Sequence, residues 1–268
     1  KSQSAWTLAS TPADVSMFPE SVLTNDLRYG FNRAKLNWFT IEPMLLKPNN
    51  SPVSIEDQSS HYVREVYEKE LFPNRESQSS IPVNLYTLNL AYYPHKKGPY
   101  NFDVDGTNAD GSLKYPDTRW GGIMRPIQQP DFERDNIEYI EFWLMDPFVE
   151  DSTNVGGDLF FNLGDVSEDV LKDGRKSFEQ GLPTPSTDNP VDTTAWGLVP
   201  LMQALVPAFD NDAESRVAQD VGYDGLSTEK EREFFKAYLD SLAAKHGVNS
   251  PAYIKAYNDP SNDDYHHF

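Results

Sequence analysis

Cysteine, positive charge and long apolar runs are the three things that this 268-residue sequence lacks or has little of. The absence of cysteine excludes disulfides, thiolate zinc sites and cysteine nucleophiles. With 23 basic against 42 acidic side chains, the net charge is −19, and such a charge repels nucleic-acid phosphates, so nucleic acid is excluded as an expected partner. No apolar stretch approaches the roughly 20 residues of a membrane helix, so we expect no direct membrane span.

Sequence signatures of catalysis are also missing. The chain contains no H-E-x-x-H, G-x-S-x-G or phosphate-loop pattern. A carboxylate pair for glycoside hydrolysis cannot be chosen among 42 acidic residues, so that activity is only a distant alternative. We therefore predict that the chain is not an enzyme, has no catalytic residues and uses no cofactor.

Aromatic residues and proline are abundant, with 14 tyrosines, 15 phenylalanines, 5 tryptophans and 20 prolines. This composition is typical of many short strands that are separated by turns. Side-chain alternation predicts strands over 34–43, 82–94 and 156–166, with 119–127 as a further candidate, and helical spacing over 60–72 predicts one packed helix. Residues 1–198 are thus predicted to form a β-sandwich of the jelly-roll or galactose-binding type.

The pattern changes after residue 198, where helices are predicted. A short helix is expected over 212–219, and Thr228 with Glu231 matches the capping-box pattern before an apolar stripe that ends at Gly247. Ser250 and Pro251 predict the start of another helix. Residues 199–268 are therefore interpreted as an acidic helical extension, and residues 183–194, rich in proline, serine and threonine, as a linker.

The most apolar run is NIEYIEFWLMDPF, residues 136–148. In a regular strand Glu138 and Glu141 would point to opposite faces, which would bury one of them. We therefore predict a strand with a bulge at Tyr139-Ile140 that places both glutamates and Trp143 on one side. Trp143 is a candidate surface contact that could stack on a sugar ring, although packing under a loop or helix is the interpretation that so apolar a run favours.

Two acidic stretches are candidates for cation binding. In DVDGTNADG (103–111) the candidates are Asp103, Asp105 and Asp110, but the EF-hand spacing fails because Lys114 stands where that motif needs glutamate. A solvated hairpin loop is the favoured interpretation. The C-terminal stretch NDPSNDDYHHF (258–268) is interpreted as an exposed polar tail, since adjacent histidines chelate poorly in an extended chain.

Several long strings together resemble one family. They are RWGGIMRPI (119–127), NIEYIEFWLMDPF (136–148), GGDLFFNLGDVSEDVLKDGRKSFEQGLP (156–183), AQDVGYDGLSTEKE (218–231) and DPSNDDYHHF (259–268), with WTLASTP (6–12), NRAKLNWFTIEPML (32–45) and LNLAYYPHKKGPYNF (88–102) upstream. The chain resembles the SprA/Sov proteins, the giant outer-membrane translocons of the type IX secretion system in Bacteroidota, which also support gliding motility.

This resemblance implies a role in protein export. Members of the family are many times longer, so the chain is expected to be a soluble, non-barrel piece of such a translocon. The implied partners are the rest of the translocon barrel, a PorV-type shuttle, a plug protein and secreted cargo. The implied location is the outer membrane. Because outer-membrane barrels have short periplasmic turns and longer external loops, the cell exterior is favoured over the periplasm as the side on which this piece lies. A cell-surface carbohydrate-binding module is the alternative function. No metal-binding residue is carried over from the family.

Overall fold

A computed structural model describes residues 5–47, 49, 51–76, 82–127, 131–176, 182, 190–202 and 208–264. The helices are α1 (Ile55–Ser59), α2 (Glu68–Leu71), α3 (Ala213–Gln219), α4 (Thr228–Phe234), α5 (Lys236–His246) and α6 (Pro251–Asn258), with 3₁₀ turns at Pro19–Val22, Leu27–Gly30, Pro43–Leu46 and Pro116–Thr118. The strands are β1 (Thr7–Leu8), β2 (Ala34–Phe39), β3 (Val66–Tyr67), β4 (Asn84–Leu85), β5 (Asn89–Lys97), β6 (Ile123–Met124), β7 (Val191–Thr194) and β8 (Gly197–Pro200).

Within the described residues, the strands form four sheets of two strands each, in the pairs β1–β6, β2–β5, β3–β4 and β7–β8. The β7–β8 hairpin is antiparallel, with Val191 opposite Pro200 and Thr194 opposite Gly197. The predicted strand at 34–43 is confirmed as β2, whereas the one at 82–94 divides into β4 and β5, and 119–127 contains only the two residues of β6. The described chain is therefore a mixture of small sheets and helices.

The helix predicted over 60–72 is wrong. Val66 and Tyr67 instead form β3, which pairs antiparallel with β4 so that Val66 lies opposite Leu85. Only the single turn of α2 is helical in this stretch. β-branched and aromatic residues fit a strand better than a helix, so a strand partner distant in sequence prevails over the helical spacing.

The bulged strand predicted in the NIEYIEFWLMDPF run is also wrong. Residues 137–146 form neither helix nor strand, and the same is true of 156–163 in the second predicted strand. A strand needs a neighbour that accepts and donates its backbone hydrogen bonds. Among the described residues, no strand is paired with either stretch, so apolar alternation alone does not produce a ladder here.

The C-terminal helices are confirmed. Ser250 caps α6 by accepting a hydrogen bond from the backbone N–H of Tyr253, and Pro251 occupies the first helical position. Gly247, with a φ of 86°, ends α5. The capping box is wrong, because Ser227 is the N-cap of α4 and the buried Glu231 carboxylate makes no return hydrogen bond.

The chain divides into two compact units. Unit 1 comprises the described parts of 1–6, 37–91 and 125–160, and unit 2 those of 7–36, 92–124 and 161–268. The boundary predicted at residue 198 is therefore not the boundary between the units, since α3 to α6 belong to unit 2. Residues 183–189 of the predicted linker lie outside the described residues, while 191–194 form β7.

The core of unit 2 is aromatic and joins segments far apart in sequence. The ring centroid of Phe102 lies 4.5 Å from that of Phe235 and 5.2 Å from that of Tyr238, which it contacts edge-on. Tyr100 and Trp196 are fully buried and pack edge to face. Residues near position 100 are thus enclosed by the β7–β8 turn and by α4 and α5, which explains why those helices are part of this unit and not an extension.

Candidate functional site

An extended exposed apolar surface of unit 1 is the stretch 137–160, here called the apolar segment. Twelve of its large hydrophobic side chains are solvent-exposed: Ile137, Tyr139, Ile140, Phe142, Trp143, Leu144, Met145, Phe148, Val149, Val155, Leu159 and Phe160. Scattered exposed hydrophobic residues are ordinary, but so many in one short stretch are typical of interaction surfaces.

Trp143 is central in the apolar segment and is 66% exposed. Its indole meets the ring of Phe72 edge-on at 6.0 Å, and nearby the Tyr62 hydroxyl donates a hydrogen bond to the Pro147 carbonyl at 3.2 Å. Both contacts join the segment to other parts of unit 1. The expectation that Trp143 packs beneath a loop or helix is wrong, since about two thirds of the residue is open to solvent.

The structure does not bring the three aspartates of the 103–111 loop together. Each has its own partner: Asp103 the guanidinium of Arg119 at 3.2 Å, Asp105 the ammonium of Lys245 at 2.7 Å, and Asp110 the backbone N–H of Ser112 at 2.8 Å. The hydrogen bond from Lys245 also lowers the pKa of Asp105. These carboxylates hold the loop and its neighbours in place, which is a structural use of the acidic pattern.

A second acidic group lies inside unit 2, where the sequence indicated only a polar tail. Glu231, on α4, and Asp224, in the preceding loop, are 1% and 0% exposed. Asp224 accepts hydrogen bonds from the Ser261 hydroxyl at 2.5 Å and from the backbone N–H of Leu226 at 2.9 Å. Ser261 is itself fully buried, so the interpretation of this stretch as an exposed tail is wrong.

Burial controls the electrostatics of this group. It raises the pKa of the Asp224 carboxyl well above its usual value, and the neighbouring carboxylates of Asp263 and Glu231 raise it further. Burial likewise raises the pKa of Glu231. Burial raises the pKa of Tyr100 well above its usual value, so its hydroxyl keeps its proton and donates a hydrogen bond to the Asp263 carboxylate at 3.1 Å.

Sequence reasoning missed this group because its members are about 30 residues apart. The sequence signal for this group was a pair of acidic strings rich in turn-forming residues, DVGYDG (220–225) and DPSNDD (259–264). Each string contains a residue with positive φ, Gly222 in the first and Asn262 in the second. His266 and His267, which belong to the same predicted tail, lie outside the described residues.

Within the part of the chain that the structure describes, no helix is both long enough and apolar enough to cross a membrane. A scan against protein-family models finds no matching family. A search of curated proteins finds no match either.

Proposed function

We propose that this chain is a non-catalytic, partner-contacting module of a type IX secretion translocon. The observation that carries the proposal is the apolar segment, in which twelve large hydrophobic side chains are exposed together. The resemblance of eight ordered strings to the SprA/Sov proteins supports the translocon as the assembly concerned. In this proposal the apolar segment packs against the remainder of the translocon, which covers it.

The chemistry of the segment favours a protein partner. It combines aromatic side chains such as Tyr139, Phe142 and Trp143 with aliphatic ones such as Leu144 and Leu159, the mixture that dominates the buried centres of protein interfaces. Its backbone is free of helix and strand, so it can pair edge to edge with a strand of the partner. Both features suit a permanent contact better than a transient one.

The finer fold is part of the proposal. Each described sheet has two strands, and a two-stranded sheet is marginally stable alone because its outer edges are unpaired. We propose that residues 1–198 complete a β-sandwich of the jelly-roll or galactose-binding type when partner strands add to these sheets.

Location and further partners follow from the same proposal. The module belongs to an outer-membrane protein and faces the cell exterior, since long insertions of outer-membrane proteins lie on that side. A PorV-type shuttle, a plug protein and secreted cargo are its proposed neighbours beside the barrel. Its net charge of −19 would limit nonspecific adhesion of acidic cargo that passes by.

Substitution of the apolar segment in the full-length protein tests the proposal. We expect the triple change of Trp143, Leu144 and Leu159 to serine to block secretion of cargo with the C-terminal sorting domain, while immunoblotting shows the protein at normal abundance. The control is serine at Tyr115 and Val248, which are exposed hydrophobic residues of unit 2. Normal secretion by the triple variant would overturn the proposal.

A carbohydrate-binding module is the second candidate, and the exposure of Trp143 favours it. An exposed indole face can stack on a pyranose ring, and the exposed carboxylates of Glu138 and Glu141 can accept hydrogen bonds from sugar hydroxyls. A glycan array decides the matter: binding that is lost in Trp143→Ala and kept in Tyr86→Ala supports this function. An array with no signal for the unmodified chain removes it.

A further inference from the structure

Four carboxylates of unit 2 converge on one point. Glu231 comes from α4, while Asp259, Asp263 and Asp264 follow α6, and one oxygen from each lies within 4.8 Å of all the others. Glu231 is buried, Asp259 and Asp263 are half-buried, and Asp264 is exposed, so the group reaches from the interior to the surface. This acidic centre contains no histidine among the described residues, and the chain has no cysteine.

No positive charge among the described residues pairs with the buried end of the acidic centre. Glu231 is only 1% exposed, and neither of its carboxylate oxygens accepts a hydrogen bond from the residues that the structure describes. The hydroxyl of Ser261, which lies nearby, is already committed to Asp224. Among the described residues, no lysine, arginine or histidine forms an ion pair with Glu231 or Asp259. A buried carboxylate without a donor is a costly arrangement that a bound cation would resolve.

Other contacts hold the acidic centre in its present shape. The backbone N–H of Asp263 donates to the Asp259 carboxylate at 3.1 Å, and the hydroxyl of Tyr100 donates to Asp263 at 3.1 Å. Gly222 lies so close to Asp263 that a Cβ there would be 2.1 Å from the carboxylate oxygen. These contacts fix Asp259 and Asp263 beside Glu231, so the oxygens need little rearrangement to bind an ion.

The donor set identifies the class of ion. Carboxylate oxygens without nitrogen or sulfur select hard cations. Calcium binds six to eight oxygens at about 2.3–2.6 Å, so ligands on opposite sides of one ion lie about 5 Å apart. The spread of the four oxygens, within 4.8 Å, is therefore one that a single calcium ion can span. Water and backbone carbonyls commonly complete such a coordination shell.

We propose that Glu231, Asp259, Asp263 and Asp264 bind one calcium ion, which ties α4 to the segment that follows α6. Both elements border the aromatic core of unit 2, so the bound ion would stabilise that unit. This inference stands apart from the proposed function, because it concerns unit 2 alone and requires no translocon partner.

Calorimetric titration of the 268-residue chain with CaCl2, after EGTA treatment, tests the site directly. The expected result is one calcium ion per chain together with a rise of about 5 °C or more in melting temperature. Glu231→Gln is expected to weaken calcium binding by about tenfold or more, because it removes a charged ligand without changing the volume. Glu229→Gln, an exposed change on the same helix, is the matched control and should bind calcium normally.

Two further measurements guard against misfolding and against diffuse binding to an acidic surface. In EGTA, Glu231→Gln should melt at or above the temperature of the unmodified chain, since it removes an unpaired buried charge. Asp264→Asn, at the exposed ligand, should also weaken binding and leave the fold intact. The proposal is overturned if the unmodified chain binds no calcium, if Glu231→Gln and Glu229→Gln bind it equally, or if Mg²⁺ binds more tightly than Ca²⁺.

Discussion

Removal of the Phe102 side chain should destabilise helices that are more than 120 residues away in sequence. Phe102 is 3% exposed and contacts the rings of Phe235, Tyr238 and Trp196. A buried Phe→Ala change costs about 3–5 kcal/mol, and the loss of its aromatic pairs places this site toward the upper part of that range. Because whole domains are stable by only about 5–15 kcal/mol, this loss is about a third or more of the stability expected for unit 2.

Hydrogen exchange detected by mass spectrometry is the suitable assay, because it reports on α4 and α5 separately from unit 1. With about 1.4 kcal/mol for each tenfold change, Phe102→Ala should accelerate exchange in residues 228–246 by more than about 10²-fold. Tyr86→Ala, which removes a ring that is 81% exposed, should leave exchange there unchanged. Unaltered protection of α4 and α5 in Phe102→Ala would refute the shared core.

Three further predictions concern single sites, each checked by urea unfolding monitored by circular dichroism. Asp103→Ala removes the carboxylate that pairs with the Arg119 guanidinium, whose side chain is 2% exposed. The change should lower the free energy of unfolding by about 3–5 kcal/mol. A loss below about 1 kcal/mol would contradict the buried ion pair. Gly197→Ala should cost at least about 2 kcal/mol, because φ is 136° and the new Cβ would lie 2.2 Å from a backbone oxygen. The control Gly157→Ala, at a position with open space around it, should be nearly neutral. Equal losses of stability in the two variants would be inconsistent with this packing. Burial raises the pKa of Asp173, so the native state holds this proton to higher pH than the unfolded chain, and the contribution of Asp173 to the free energy of unfolding should fall as pH rises above about 4. Asp173→Asn should lessen that fall, and an unchanged pH profile would count against the assignment.

Local chemistry could be predicted from the sequence where neighbours along the chain decide the structure. The Ser250-Pro251 start of α6 and the Gly247 end of α5 depend on side chains and φ angles within a few residues, and both are confirmed. The strand β2 also lies where alternation predicted it. These elements carry their own caps, stops or periodicity, so their sequences suffice.

Features that depend on distant partners could not be predicted in this way. Val66 and Tyr67 are a strand only because residues 84–85 pair with them. The NIEYIEFWLMDPF run satisfies the pattern of a strand, yet among the described residues it has no strand neighbour. A sequence pattern predicts which face of a strand would be apolar. The neighbouring strand that forms its backbone hydrogen bonds depends on the tertiary fold.

The acidic centre illustrates the same limit for a site. Glu231 matches the third position of a capping box, and the aspartates after α6 match a polar tail, so each stretch had an ordinary local explanation. Their convergence arises because α5 and α6 reverse the chain and return residues 259–264 to α4. Only three-dimensional proximity turns four unremarkable carboxylates into one candidate cation site.

Photo-cross-linking in the native outer membrane tests the central claim, that the apolar segment is covered by a partner. A photoreactive phenylalanine analogue at position 143 of the full-length protein is compared with the same analogue at Tyr115, since Trp143 and Tyr115 are 66% and 65% exposed in the isolated chain. The account predicts a discrete cross-link from position 143, identified by mass spectrometry as another part of the translocon or one of its partners, and none from position 115. The absence of any cross-link at position 143, with efficient photolysis at both positions, would contradict it.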